Sequence, residues 1–443
     1  MSNKAQASKK SLRHASFNYL GTYHGIQEFE LKKNGLRVLY QHINTSPVVG
    51  IMVTYLVGSR HEVSGTTGST HILEHLMFKG SKNFPPKNGE STLELLSKKG
   101  ALVNASTFLD RTNYYEVLPE QYFEFALALE ADRMRNACIT PKDLREELPA
   151  VRSEYAMHLG SDPVEFLEEK IWSVAFLAHP YHHSTIGYLS DIEHTSVDAL
   201  KNFYDTYYYP NNAVVTVIGS VEQKKALTLI AKHFGVHKKS PKPIPQPHTA
   251  EPEQHGRRFV EVNREGTKDV VAIAFKVPEA LHADTASVMA LTAILADGKN
   301  SRLYGALVDT GMTSDVWSSY MPFFDPSLLL LYATPSEGVE HEKIEKVLLD
   351  ECKKIIEKGV TDKELAHVVT GVTTEIAFSR DGHYAILSSL NESIAAGDWK
   401  FFFDLPRTIK EVTTKGIQVV AQKYLVEKGM TVGYYRTNKK THE

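Results

Sequence analysis

Between Lys238 and Gly256 five prolines, Pro241, Pro243, Pro245, Pro247 and Pro252, crowd among charged and polar residues. Proline fixes φ, offers no N–H and pushes the residue before it toward extended backbone, so this stretch can be neither a helix interior nor a central strand. It reads as an extended linker, and a chain of 443 residues is long enough to form a globular unit on each side of it. The same order of elements recurs on both sides. In the first half Gly35–Gln41 alternates like a strand, Val48–Val57 is a nearly continuous β-branched run, and a helical region follows. In the second half Arg257–Val262 and Asp269–Val277 have the same strand character, and Asp284–Ala296 reads as a helix. Each half ends on a late strand, Ala213–Gly219 and Met430–Tyr435. The expectation is an α+β fold of two tandem homologous domains, 27–237 and 257–443. Each would be a mixed or antiparallel sheet covered by helices, joined by the linker 238–256 and preceded by a flexible segment 1–26.

The net charge near −3 gives no field for nucleic acid or an anionic membrane surface, so neither is expected as a partner. Cys138 and Cys352 fall one in each half, in contexts that read as helix, which excludes a disulfide framework and a Cys-x-x-Cys metal site. No apolar run is long enough to span a bilayer, and the N-terminus lacks the apolar core of a secretory signal. A cytoplasmic location is expected. Lys4, Lys9, Lys10 and Arg13, with no acid before Glu28, leave a mitochondrial-matrix targeting segment as the alternative to a solvated tail.

The segment Gly68–Phe78 has the pattern of a helix with a Ser or Thr N-cap. His71 and His75, four apart, share a face and can grip one cation, and Glu74 lies on the same side. The pattern is an inverted zinc-helix signature, His-x-x-Glu-His. It arises by chance in about one chain in twenty of this length, so context must decide between a metal site and two helix histidines bonded to carbonyls. A hydrolytic zinc site needs a third protein ligand and an open position. Glu147 and Glu154, two helical turns apart, could share a face toward it or could be solvated surface carboxylates. Pro149 lies between them and is expected to kink or restart the helix, which weakens the reading of Glu147 more than that of Glu154.

The run from Gly58-Ser59-Arg60-His61-Glu62 to Phe78-Lys79-Gly80 resembles the zinc-site region of the pitrilysin and insulinase peptidase family, in particular its half-length members similar to mitochondrial processing peptidase. Asn104–Tyr115, His179-Pro180-Tyr181 through Gly187, and Tyr209-Pro210-Asn211-Asn212 through Gly219 extend the resemblance over most of the first half. Ser301-Arg302-Leu303-Tyr304 and Thr431-Val432-Gly433 carry it more weakly into the second. The resemblance implies one Zn²⁺ per chain held by His71, His75 and Glu154, with Glu74 as general base and Glu147 as a supporting carboxylate. His158 matches nothing in the family. Asn104 and Ala105 match positions on an edge strand that pairs with an extended peptide substrate.

Full-length relatives carry four such domains in a clamshell, so this chain is expected to be half of one. In those relatives an Arg and a Tyr reach the substrate carbonyl from the opposite half. Here the corresponding positions are read as Val308 and Thr313 or Ser314, and Arg302 is expected to pack locally. The partner implied is a paralogous subunit supplying the Arg–Tyr pair in a heterodimer, with a homodimer as alternative. The activity implied is a zinc endopeptidase. Its alternatives are a mitochondrial presequence-processing subunit and a non-catalytic scaffold subunit of the same fold.

Overall fold

The computed structural model describes residues 14–86, 90–266, 268–378 and 382–438, apart from the side chains of 158–161 and 377. Lys4, Lys9, Lys10, Arg13 and the His158 side chain therefore lie outside the described residues. Two compact units are formed: Met1–Arg152 with Thr185–Pro247 and Arg380–Ala395, and Ser153–Ser184 with His248–Ser379 and Ala396–Glu443. Their boundary at Pro247 falls inside the proline-rich stretch, which carries no helix or strand. That stretch is nonetheless anchored. Arg60 donates to Gln246 at 3.1 Å, and the buried Gln254 donates to the Met430 carbonyl at 2.7 Å.

The first unit is built on strands β1 (Phe17–Tyr23), β2 (Ile26–Leu31), β3 (Arg37–His42), β4 (Val48–Tyr55), β5 (Leu102–Thr107), β6 (Thr112–Pro119) and β7 (Ala213–Gly219). They form one sheet in the order β1-β2-β3-β7-β4-β6-β5, antiparallel except for the parallel pair β3–β7. Every residue of β7 is buried and β4 nearly so, as their apolar sequences, interrupted only by Thr216 and Thr54, require. The segment expected to be a flexible tail to residue 26 is corrected here. From Phe17 onward it is an edge strand hydrogen-bonded to β2, missed because β1 buries little beyond Phe17 and so shows weak alternation.

The second unit contains β8 (Arg258–Glu265), β9 (Val270–Val277), β10 (Thr313–Tyr320), β11 (Ser327–Pro335) and β12 (Met430–Asn438), ordered β10-β11-β9-β12-β8. Its core joins β9 and β11 to helix Thr285–Ala296 and to helix His341–Lys358, which presents Ile344, Leu348, Cys352 and Ile355 as one helical stripe. Cys138 departs from its helical reading: it follows helix Phe123–Asn136 and donates its N–H to the Gly80 carbonyl at 3.0 Å.

The units are not the two consecutive spans 27–237 and 257–443. Helix Pro163–Ala175, from the first half of the sequence, packs on β12, β9 and β8 of the second unit. Helix His383–Ala395, from the second half, packs on β4, β7 and β6 of the first. Each lands on a strand glycine. A Cβ on Gly433 of β12 would come within 2.7 Å of Ile171, and one on Gly50 of β4 within 2.7 Å of Leu387. The helices thus sit closer to the sheets than any larger residue would permit. Helix Pro141–Ser161 is continuous through Pro149, so the helix does not restart there. Leu144 and Val151 of this helix are buried, so tertiary packing holds it across the proline. The division into units falls inside this helix, after Arg152. Among the described residues no helix is long and apolar enough to cross a membrane.

Candidate metal centre

His71 and His75 lie on the eight-residue helix Ser69–Leu76, which buries Ile72, Leu73 and Leu76 completely and leaves both histidines and Glu74 half-buried on the other face. Its N-cap is not the expected Ser or Thr but Gly68, at φ +82°. A Cβ there would stand 2.5 Å from the Ile186 carbonyl oxygen, so a side chain is excluded twice over. The capping acceptor comes from elsewhere. The buried Glu62 carboxylate accepts the Gly68 N–H at 2.9 Å and the Thr70 N–H at 2.7 Å, placing negative charge at the positive end of the helix. Asp191 holds the preceding loop by accepting from the Gly65 and Thr67 N–H groups and the Thr67 hydroxyl.

The two imidazoles present their Nε2 atoms to each other at 3.3 Å. Two nitrogen ligands about 2.0–2.1 Å from a tetrahedral zinc are separated by about 3.3 Å, so this spacing is that of a pair sharing one ion. The long helix Pro141–Ser161 brings in the third donor: ligand atoms of His71, His75 and Glu154 all lie within 4.8 Å of one another. Among the described residues they are the one group of three or more such side chains able to hold a metal. Glu154 is exposed, which leaves room for a water and a substrate at a fourth position. Two His and one Glu with an open site is the donor set of catalytic zinc, and the residues present fit that ion.

Glu147, two turns earlier, accepts from His75 Nδ1 at 2.9 Å and pairs with Lys79. A carboxylate on the far nitrogen fixes the tautomer that frees Nε2 for a metal. The His75 and Lys79 hydrogen bonds hold the Glu147 carboxyl down at about 2, against the burial that would raise it. Although Pro149 lies between Glu147 and Glu154, the helix runs through it and Glu147 reaches His75 directly. Glu74 Oε2 accepts the Thr107 hydroxyl at 2.5 Å, which ties the carboxylate to the end of β5. Asn104 and Ala105 lie on that strand, which pairs only with β6 among the described strands. The Ala105 N–H points away from β6 and is held by the Asn104 side chain at 2.9 Å. Sequence reading missed Glu62, Lys79 and Thr107. Glu62 and Lys79 stand inside the motif runs that signalled the family, and Thr107 in the strand run beside Asn104.

Arg302 is locally engaged, in an ion pair with Glu364 at 2.6 Å and a bond to the Gly359 carbonyl. Val308 ends a short π-helical turn and Thr313 opens β10.

Helix-borne histidines joined by a carboxylate from a second helix, on a doubled α+β frame, define a metalloprotease-type scaffold. Residues 37–188 match the family described as Insulinase (Peptidase family M16), and residues 194–372 match its companion, the Peptidase M16 inactive domain. The chain belongs to peptidase family M16, the pitrilysin and insulinase type, and to its half-length members. It is 29% identical to the zinc protease PqqE of Helicobacter pylori over 91% of each chain, and 24% identical to an uncharacterized zinc protease of Mycobacterium leprae over 88% and 87%. Among solved structures it superposes on a protease from Helicobacter pylori with TM-score 0.87 and 28% identity, covering 93% of this chain and 99% of that one. The first half of the Escherichia coli periplasmic protease PqqL shares the fold, with TM-score 0.78 at 19% identity over 95% and 94%. Against complete PqqL the chain covers 48% of the relative.

Proposed function

We propose that this chain is a zinc-dependent endopeptidase for extended or unfolded peptides, with His71, His75 and Glu154 as ligands and Glu74 as general base. The observation that carries the reading is the convergence of the three ligand atoms beside a glutamate tethered to an open strand edge. A bound zinc ion supplies acidification of a water and polarisation of the scissile carbonyl. Glu74 takes the proton from the attacking water and delivers it to the leaving amine, with the Thr107 hydroxyl keeping its carboxylate oriented. Glu147 keeps His75 in the tautomer that leaves Nε2 as the donor. The backbone of Ala105 offers an N–H to an incoming strand once the Asn104 side chain gives way. Only a peptide with free backbone groups can pair there, which limits the substrate to unfolded segments.

The chain corresponds in length to half of PqqL, and the positions where an Arg–Tyr pair is expected hold Val308 and Thr313 or Ser314. We therefore propose that the working enzyme is a heterodimer with a paralogue supplying that pair as oxyanion donors. The test is metal analysis and cleavage of an unfolded peptide by the purified chain, with and without the paralogue. Wild type binds one zinc and gains activity on mixing. Glu74→Gln keeps the zinc and loses about 10²–10⁴-fold in turnover. Full turnover in Glu74→Gln rules out the mechanism, and full turnover by the chain alone rules out the partner.

A further inference from the structure

The register of the first sheet divides a bound strand's side chains between two destinations. Asn104, Tyr115 and Met52 lie directly across from one another on β5, β6 and β4, as do Ser106, Asn113 and Thr54, and such rows share one face of the sheet. Ala105 and Thr107 belong to the other face, where Thr107 reaches Glu74. A peptide added to the β5 edge through the backbone of Ala105 points the side chain of its paired residue toward the histidine helix. Its flanking residues then point to the Asn104–Ser106 face.

That second face holds a cavity of about 170 Å³, roofed by Tyr384, Ser388 and Glu392 of helix His383–Ala395 and walled by Asn104, Ser106 and Arg111. The two formal charges lining it are unequally presented. The Arg111 side chain is 10% exposed and turned inward, donating to the Ser106 carbonyl at 3.0 Å, the Ser106 hydroxyl at 2.7 Å and Glu392 Oε1 at 2.6 Å. The Glu392 side chain is 40% exposed. Its Oε1 takes the Arg111 bond and one from Asn391 at 3.0 Å, while Oε2 accepts from no described residue. The Tyr115 and Tyr384 rings, 4.7 Å apart, add π-faces at the same wall. A side chain entering the cavity therefore meets an anionic oxygen and aromatic faces, both of which favour a cation.

We propose that this cavity is a substrate side-chain subsite, on the sheet face opposite the histidine helix, that selects a lysine or arginine flanking the residue paired with Ala105. The proposal rests on the endopeptidase reading, from which it takes the β5 edge as the peptide site. Glu392 is its specificity-determining residue and Arg111 the group that holds Glu392 in place.

The experiment uses the zinc-loaded Glu74→Gln protein, with its paralogue present, and fluorescent extended peptides carrying Lys, Gln, Leu or Glu at each position in turn. Binding is read by anisotropy. At a position on the cavity face, Lys binds about tenfold tighter than Glu, with Gln and Leu between. The preference is absent one residue along, where the side chain faces the other way. Adding Glu392→Gln leaves Arg111 as the lining charge, so the order of Lys and Glu reverses. Ser388→Phe fills the cavity and weakens every long side chain at that position alone, which covers a Glu392 variant that fails to fold. Equal binding of all four peptides at every position, or an unchanged order in Glu392→Gln, overturns the subsite while leaving the endopeptidase reading standing. No binding by any peptide overturns both.

Discussion

The two units repeat one strand frame and use it differently. Read from the strand that enters parallel, the first is β3-β7-β4-β6-β5 and the second β8-β12-β9-β11-β10, with the same pairing directions at every step. The first adds the β1–β2 hairpin. Between its second and third frame strands each unit inserts a helix. In the first unit Ser69–Leu76 buries one side and spends the other on His71, Glu74 and His75. In the second, Thr285–Ala296 has no acid or histidine and buries Val288, Leu291, Ile294 and Leu295. The frame thus fixes where a helix lies, and a few side chains decide whether it presents metal-ligand donors or fills a core.

The sharpest way to break this contrast is to damage each helix system in kind. Glu154→Ala should abolish stoichiometric zinc while the melting curve of the metal-free protein hardly moves. Leu291→Ala should cost about 2–5 kcal/mol of stability and keep one zinc per folded chain. Metal analysis paired with denaturant unfolding reads both, and retained zinc in Glu154→Ala would show that another residue is the third ligand. A smaller effect sharpens the first unit's side of the comparison. Glu147→Gln should weaken zinc affinity about 10–100-fold, measured by chelator competition, because His75 loses the carboxylate that orients it. An unchanged affinity would make Glu147 a surface partner of Lys79 only.

The smallest effect belongs to the second unit and to pH. Burial would raise the Glu251 carboxyl, but the N–H groups of Leu177, Ala178 and His179, with Lys276, hold it down at about 2 from an ordinary 4.5. A depressed carboxyl stabilises the fold above its unfolded value, and that stability is lost as pH falls from about 4.5 toward 2. Glu251→Gln should therefore lower stability by on the order of 1–2 kcal/mol at pH 7, with the difference from wild type closing over that window. A gap that stays constant down to pH 2 would assign the loss to packing rather than charge.

How much of this was legible depended on the distance over which a signal acts. His71, Glu74 and His75 could be read because a helix converts a spacing of three or four into a shared face. β4, β7 and β9 could be read because strands buried on both sides are written as nearly continuous apolar runs, each broken by one polar residue, Thr54, Thr216 and Lys276. Glu62 and Thr107 could not, since nothing in the chain marks a carboxylate that caps a helix six residues away or a hydroxyl that crosses to a glutamate 33 residues earlier. The destinations of helices Pro163–Ala175 and His383–Ala395 were equally hidden. An amphipathic stripe such as Leu167, Ile171 and Ala175 says that a helix will be covered, not by which sheet. Pro149 misled because a single lost bond is a strong local signal and a weak tertiary one.

The traded helices also set a clock. Helix Pro163–Ala175 leaves the ribosome well before β8, β9 and β12, the strands it covers, and the last of these closes only at Asn438. At about 5–20 residues per second, Leu167 and Ile171 wait roughly 15–50 seconds for their sheet. The first sheet, whose last strand ends at Gly219, waits roughly 8–34 seconds for Leu387 and Leu390. Neither half of the newborn chain can finish alone, so truncation after the proline-rich stretch leaves one sticky helix without a home and one sheet without its lid.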